Sequence, residues 1–355
     1  MPTAPVPGRG TAENPSGRFE RLRYEPEPEE DTDAAAADIR SAPRTQFFRD
    51  DTQSILARND SPDVGFDTSL NPYRGCEHGC IYCYARPTHE FLGFSAGLDF
   101  ETKIMVKSDA PALLRRELES PRWQPRVVAL SGVTDCYQPA ERRLRLTRRC
   151  LEIFAEFRNP VGIVTKNHGV TRDLDLLQEL ARHRAALVCL SITTLDAGLA
   201  KIMEPRASPP ARRLAAIREL RAAGIPVGVF IAPVIPGLTD HEIPAILAAA
   251  AEADAVFASY TLLRLPYGLK SLFESWLDTH HPLKKEKILA RLRTLRDGQL
   301  NRSEFGTRMT GTGAYAEQIR ALFHIARRRA GIPAQAPELS TAAFRRRDAQ
   351  LSLAL

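Results

Sequence analysis

"NPYRGCEHGCIYCYARPTHE", residues 71–90, sets Cys76, Cys80 and Cys83 in the pattern C-x3-C-x2-C among Gly, Asn, Pro and aromatic residues. The chain has six cysteines in 355 residues, so half of them stand in this one loop. Six thiols in a chain of this length do not make a disulfide scaffold, and thiols at this spacing point to metal ligation.

Cysteine thiolates hold zinc or iron–sulfur clusters. A structural zinc site takes four protein ligands, usually from paired C-x2-C units. This loop has one C-x2-C and one C-x3-C with no second pair, so His78 or His89 would have to complete such a site. A [4Fe–4S] cube on three thiolates instead leaves one iron open. The amino and carboxylate groups of S-adenosylmethionine (AdoMet) can fill that position. The zinc alternative corresponds to a nucleic-acid-binding module without catalysis.

Outward from the loop, short apolar runs alternate with amphipathic stretches. The runs are TKIMVK (102–107), RVVALSG (126–132), VGIVTKN (161–167), ALVCLSITT (186–194), VGVFIAPVIPG (227–237) and ASYTLLRLP (258–266). Between them, positions such as Leu146, Cys150, Ile153, Phe154 and Phe157 recur at helical spacing. Strands alternating with helices predict parallel βαβ units with right-handed crossovers. Six units fall short of a closed eight-fold barrel, so the predicted fold is α/β, a partial (β/α)6 barrel, with its ligands at the C-terminal strand ends.

Composition bounds the rest. Hydrophobic and charged residues make up 43% and 26% of the chain, the balance of a globular protein. The net charge of +6 hides an uneven distribution. Residues 1–45 carry 6 basic and 9 acidic side chains, whereas residues 46–355 carry 43 basic and 34 acidic ones. Residues 1–45, rich in Pro, Glu and Ala, are expected to be a disordered acidic tail. The core is expected over 46–270, a helical C-terminal extension over 271–331 and a loosely ordered tail over 332–355. No signal peptide and no apolar run of membrane-spanning length is present, which predicts a cytoplasmic protein without a membrane partner. The basic body is compatible with a nucleic-acid partner. The clusters RRLRLTRR (142–149), ARRLAAIRELRAAG (211–224), RLRTLR (291–296) and ARRRAG (326–331) each read as a solvated helix face, and no stacking-aromatic pattern accompanies them.

The C-x3-C-x2-C loop with Tyr82 before its last cysteine, followed by about six βα units, resembles the radical SAM superfamily. Within it, GCIYCYAR, EPR (204–206) and VFIAPVIPGLTD (229–240) are similar to the spore photoproduct lyase-like group, often called DNA repair photolyases. The resemblance covers roughly residues 66–270 and implies a [4Fe–4S] cluster on Cys76, Cys80 and Cys83. It also implies reductive cleavage of AdoMet to a 5′-deoxyadenosyl radical that abstracts hydrogen, either from a nucleic-acid base or from a small metabolite or peptide. A low-potential donor of flavodoxin or ferredoxin type is implied as partner.

The same resemblance assigns Ser131, Gly132, Thr134, Lys166, Ser191, Thr193, Ala232 and Arg206 to the cofactor site. Lys166 would meet the methionyl carboxylate, and Arg206 would pair with a carboxylate, a phosphate or Glu204. Tyr82 and Tyr84 are implied as hydrogen relays. The lyase's donor cysteine aligns with Gly132, which departs from the pattern; Cys136, four residues on, is the substitute candidate. Each of these residues has a plain reading as well, as βα turn, barrel filling or aromatic shield. Cys150 and Cys189 read as core.

Overall fold

The structure is a computed structural model that describes residues 5–19 and 43–346. Among the described residues, ten strands form two sheets. They are β1 (Gln46–Arg49), β2 (Leu56–Arg58), β3 (Thr68–Leu70), β4 (Tyr73–Arg74), β5 (Lys103–Val106), β6 (Val128–Leu130), β7 (Val161–Thr165), β8 (Ala186–Ser191), β9 (Val227–Val234) and β10 (Phe257–Leu262). The larger sheet has the order β10-β9-β8-β7-β6-β3-β2, and β1-β5-β4 form the smaller.

Strands β3 and β6 to β10 pair in parallel, which gives the six-stranded open barrel wall expected from the alternation. The strand lining the start of the barrel is not the expected one. TKIMVK forms β5 in the smaller sheet, parallel to β1 and antiparallel to β4. The first barrel strand is the three-residue TSL of β3, immediately before the cysteine loop. Three residues carry too little periodicity to be read as a strand; they are recruited by pairing Ser69 with Ala129 and Leu70 with Leu130.

Burial on both faces explains the nearly unbroken apolar sequences of β8 and β9. Helices Leu174–Arg182, Pro210–Ala222 and Ile243–Glu252 cover the outside of the wall, and Leu177, Leu180, Ile217, Leu220, Ile246 and Leu247 are buried there. The amphipathic stretch 139–157 divides into a short turn, Glu141–Leu144, and a helix, Leu146–Phe157, with Arg145 at φ 51° between them. The buried Glu141 carboxylate explains the break. It accepts from the amides of Thr147 (3.0 Å) and Arg148 (3.3 Å) and so caps the new helix N-terminus.

The described parts of the two expected tails, residues 5–19 and residues up to 346, bond to the body, and residues 347–355 lie outside the described residues. Residues 5–19, in the expected tail, dock through Gly10 N–H on Glu101 Oε2 (2.9 Å), Arg9 on the Glu101 carbonyl (2.9 Å) and Leu98 N–H on the Glu13 carbonyl (2.8 Å). The rest of that expectation, residues 1–4 and 20–42, lies outside the described residues. Toward the other end, Ser340 N–H bonds the Arg184 carbonyl (2.8 Å) and Phe344 stacks near Phe157, with centroids 6.3 Å apart. Helices Leu269–His280, Lys285–Thr294 and Gly313–Arg329 follow the barrel. Among the described residues, no helix is long and apolar enough to cross a membrane.

The cysteine loop is fixed from beneath by Arg86, whose side chain is wholly buried. It donates to the carbonyls of Gly79 (3.2 Å), Cys80 (3.0 Å), Ala96 (3.2 Å) and Gly97 (2.9 Å), and pairs with the equally buried Glu101 at 2.5 Å. One guanidinium therefore sets the loop's curvature and the entry of helix Leu98–Thr102. Arg86→Ala strands the Glu101 charge and is expected to cost about 3–5 kcal/mol. The check is the thermal midpoint of the metal-free protein. The double change Arg86→Met with Glu101→Leu should recover part of the loss, because it removes the unpaired charge with its partner.

Candidate active site

The cysteine loop passes over the residues that directly follow β6, β7 and β8. His78 Nδ1 lies 3.3 Å from Asp135 Oδ2, and its Nε2 lies 3.1 Å from the Asn167 amide nitrogen. Ile81 N–H bonds the Met203 carbonyl (3.0 Å), and Arg206 N–H bonds the His78 carbonyl (3.2 Å). Gln138 grips the loop from the other side, accepting from Glu77 N–H (2.9 Å) and donating to the Gly75 carbonyl (3.1 Å). The three thiols thus sit on a loop fixed by three separate parts of the barrel, the segments that follow β6, β7 and β8.

Cys76 and Cys80 are buried and Cys83 is partly exposed. Burial pushes all three thiols up, and the Cys76 thiol also feels Cys80 and Cys83. Lys166 acts against burial at Cys80 and Cys83, with Arg213 at Cys80 and Arg86 at Cys83. Three soft thiolate donors ringed by cations suit an anionic iron–sulfur cluster. Among the described residues, no three His, Cys, Asp or Glu side chains gather around one metal ion. Of the two histidines considered as a fourth zinc ligand, His78 is engaged as above, and His89 bonds the Lys103 carbonyl through Nε2 at 2.9 Å while its buried Nδ1 has no hydrogen-bond partner.

Five of the expected site residues converge. Lys166 Nζ contacts Ser191 Oγ at 2.6 Å, the Ala232 carbonyl at 2.9 Å and Thr193 Oγ1 at 3.4 Å, and lies 5.5 Å from the centre of the Tyr82 ring. Tyr82 OH in turn bonds Thr193 Oγ1 (3.1 Å). Two residues that the sequence reading did not assign to the site tie them together. Glu204 accepts from Tyr82 OH, from Thr193 Oγ1 (2.9 Å) and from Arg213, and lies 3.4 Å from Lys166. Arg213, 1% exposed, also donates to the Ser191 carbonyl (2.8 Å). A signal for Arg213 existed, since it shares a helical stripe with the buried Ala216, Ile217 and Leu220.

This group sets two cations, the mostly buried Lys166 and the buried Arg213, against the Glu204 carboxylate, with Asp135 and the Cys80 and Cys83 thiols also acting on Lys166. Burial, then repulsion from Arg213, pushes the Lys166 amine down to about 8. Asp135 is held below the usual carboxylate range: burial acts against ionisation, and His78 with the amides of Lys166 and Tyr137 outweighs it.

The other expected residues divide. Ser131 adopts φ 82° and accepts from Cys136 N–H (2.8 Å), a strained conformation for a residue with a side chain. Thr134 donates to the Tyr73 carbonyl (2.8 Å), and Arg206 pairs with Glu77 (3.0 Å) rather than with Glu204. Gly132 packs so closely that a Cβ there would lie 2.9 Å from Ser69 Cβ. Its carbonyl accepts from the half-exposed Tyr84 (2.8 Å). Cys136 is fully buried in the main core with Cys150, Leu151 and Phe154, whereas Tyr82 belongs to a separate core with Cys80 and Met203.

The structure is similar to spore photoproduct lyase complexed with dinucleoside spore photoproduct, with TM-score 0.55, 16% identity and coverage of 79% of this chain and 78% of that one. A variant of that lyase with bound AdoMet and the same dinucleoside gives 0.53 and 18%, over 80% and 77% of the two chains. Uncharacterized proteins of Mycobacterium tuberculosis and Mycobacterium bovis are 38% identical over 265 residues, 72% of this chain and 77% of theirs. An uncharacterized protein of Methanocaldococcus jannaschii is 31% identical over 173 residues, 49% of this chain and 62% of its own. The family model described as Radical SAM superfamily matches residues 70–250, from the start of the cysteine loop to the helix before β10, and the chain belongs to that superfamily.

Proposed function

We propose that this protein is a radical AdoMet enzyme whose cluster is held by Cys76, Cys80 and Cys83, and that it abstracts hydrogen from a nucleic-acid base. Family membership implies a [4Fe–4S] cluster, AdoMet and an external reductant; a flavodoxin- or ferredoxin-type donor is the proposed source of electrons. The single observation that supports the site reading is the placement of Lys166 beside the cysteine loop, held by Ser191, Thr193 and the Ala232 carbonyl and 5.5 Å from the centre of the Tyr82 ring. When bound, the cluster and AdoMet supply one-electron cleavage of the sulfonium and hence a hydrogen-abstracting species.

The chain's own residues bind and orient. Lys166 is proposed to hold the AdoMet carboxylate, with Ser191, Thr193 and the Ala232 carbonyl shaping its position. Ser131, Gly132 and Thr134 are proposed to form the turn at the amino group, and Arg206 to brace the loop through Glu77. Tyr84 takes the relay role in this reading, because its hydroxyl reaches Gly132, the position aligned with the lyase's donor cysteine. Tyr82, bonded to Glu204 and Thr193, positions rather than relays. Cys136 is assigned to packing, which its full burial supports.

Anaerobic reconstitution should load about four irons and four sulfides per chain, the content of one cube. Alanine at Cys76, Cys80 or Cys83 should remove the visible cluster absorption, and retention of a normal cluster spectrum would overturn the ligand assignment. Reduced holoprotein should form 5′-deoxyadenosine from AdoMet without added substrate. Lys166→Ala should weaken AdoMet binding by about 1.5–3 kcal/mol, the size of a hydrogen bond to a charged group. Equilibrium dialysis measures this, and an unchanged Kd removes Lys166 from the site. The amine must be charged to bind, so affinity in the unsubstituted protein should fall as pH rises through about 8. That dependence should flatten in Lys166→Met.

A further inference from the structure

A cleft of about 500 Å³ opens beside the cysteine loop, between the docked N-terminal segment and the barrel. Arg9, Arg44, Arg143 and Arg206 line it, with Glu77 as the carboxylate among its lining residues. These residues come from four distant parts of the sequence. Arg9 is held in place by the carbonyls of Glu101 (2.9 Å) and Pro43 (2.6 Å), and Arg206 by Glu77 (3.0 Å). Arg9 and Arg206 are close enough that burial and mutual repulsion lower the Arg9 guanidinium, so like charges are kept together by the fold. Arg44 and Arg143 are exposed, and Arg143 lies 4.8 Å from the centre of the Phe47 ring.

Phe47 adds an apolar surface to this charge. It stands on β1, whose four residues are all exposed and which pairs on one side only, with β5. A groove with several cations and an exposed aromatic ring is the combination that holds unpaired nucleic-acid strands, the cations tracking phosphates and the ring offering a base a face to stack on. Arginine suits phosphate oxygens through its planar fork of donors. The floor of the cleft at Glu77 adjoins Cys76, so a strand lying in it would pass the cluster loop.

We infer that this cleft is a binding site for the phosphodiester backbone of a single nucleic-acid strand, with Arg44 and Arg143 as its exposed phosphate contacts and Phe47 as a stacking surface. The inference rests on the nucleic-acid reading of the function and names the surface that would present the strand.

The probe is a short fluorescein-labelled oligothymidylate, titrated by fluorescence anisotropy between about 50 and 200 mM salt. The unsubstituted protein should bind it with an affinity that falls steeply with salt. Arg44→Gln with Arg143→Gln should weaken binding roughly tenfold or more at the low-salt end and reduce the log–log salt slope by about 1.4, or 0.7 per lost single-strand phosphate contact. Phe47→Ala should weaken binding while leaving the slope in place, the sign of stacking rather than charge. The exposed pair Arg328→Gln with Arg329→Gln, on the final helix, serves as a charge-matched control.

An unchanged affinity and slope in the Arg44/Arg143 variant would overturn the inference. So would an equal loss in the control, or no binding by the unsubstituted protein. Thermal unfolding verifies that the variants are folded, and Arg143→Gln alone replaces the double variant if that one is not. Iron content and 5′-deoxyadenosine formation by the unsubstituted protein test the proposed reaction separately. Strand binding without them would retain the cleft and remove the reaction; the reverse outcome would remove only the cleft.

Discussion

The site depends on how the fold accommodates ionised groups where water is scarce. Glu204 is 2% exposed, and an isolated carboxylate at such a depth is strongly unfavourable. It is retained because Arg213 reaches it from the helix behind β8, and Lys166 and Tyr82 approach it from the strand end and the cysteine loop. Satisfying that one carboxylate requires β7, β8, helix Pro210–Ala222 and the loop to be in register together. The same requirement brings Ser191, Thr193 and Ala232 to Lys166.

A second buried pair, Arg86 with Glu101, plays the corresponding part beneath the loop. Its guanidinium satisfies carbonyls that a tight loop of this kind would otherwise leave unpaired. Glu101 then accepts from Gly10, which extends the same network into the docked N-terminal segment. The loop that presents the thiols, the strand ends that present Lys166 and the segment that walls the arginine cleft are therefore linked through two buried carboxylates. Local changes at either carboxylate should be felt at the thiols.

Gly132 shows how close packing limits chemistry. Its backbone lies against Ser69 of the first barrel strand, leaving no room for a side chain unless Ser69 moves. A donor thiol at that position is incompatible with this packing, and the space on the open side is reached by Tyr84 instead. Cys136 is fully buried, because the turn after Ser131 carries it into the core.

Much of this protein was legible in its sequence. The spacing of Cys76, Cys80 and Cys83 is a local property, and the strand–helix alternation follows from hydrophobic period, so the loop and five of the six barrel strands could be read directly. The strand-end residues Lys166, Ser191 and Thr193 were legible for the same reason, since a polar residue ending an apolar strand faces the barrel mouth. What the sequence could not settle depended on pairing between distant segments. TSL at 68–70 is too short to declare itself a strand, and TKIMVK declares itself one without saying which sheet it joins. Glu204, Arg86 and Arg213 look like surface charges until the fold supplies partners that make their burial tolerable. Arg9, Arg44, Arg143 and Arg206 belong to no single sequence cluster. Only the tertiary structure places them on one cleft, because docking of the N-terminal segment against Glu101 is a long-range contact that no local pattern encodes.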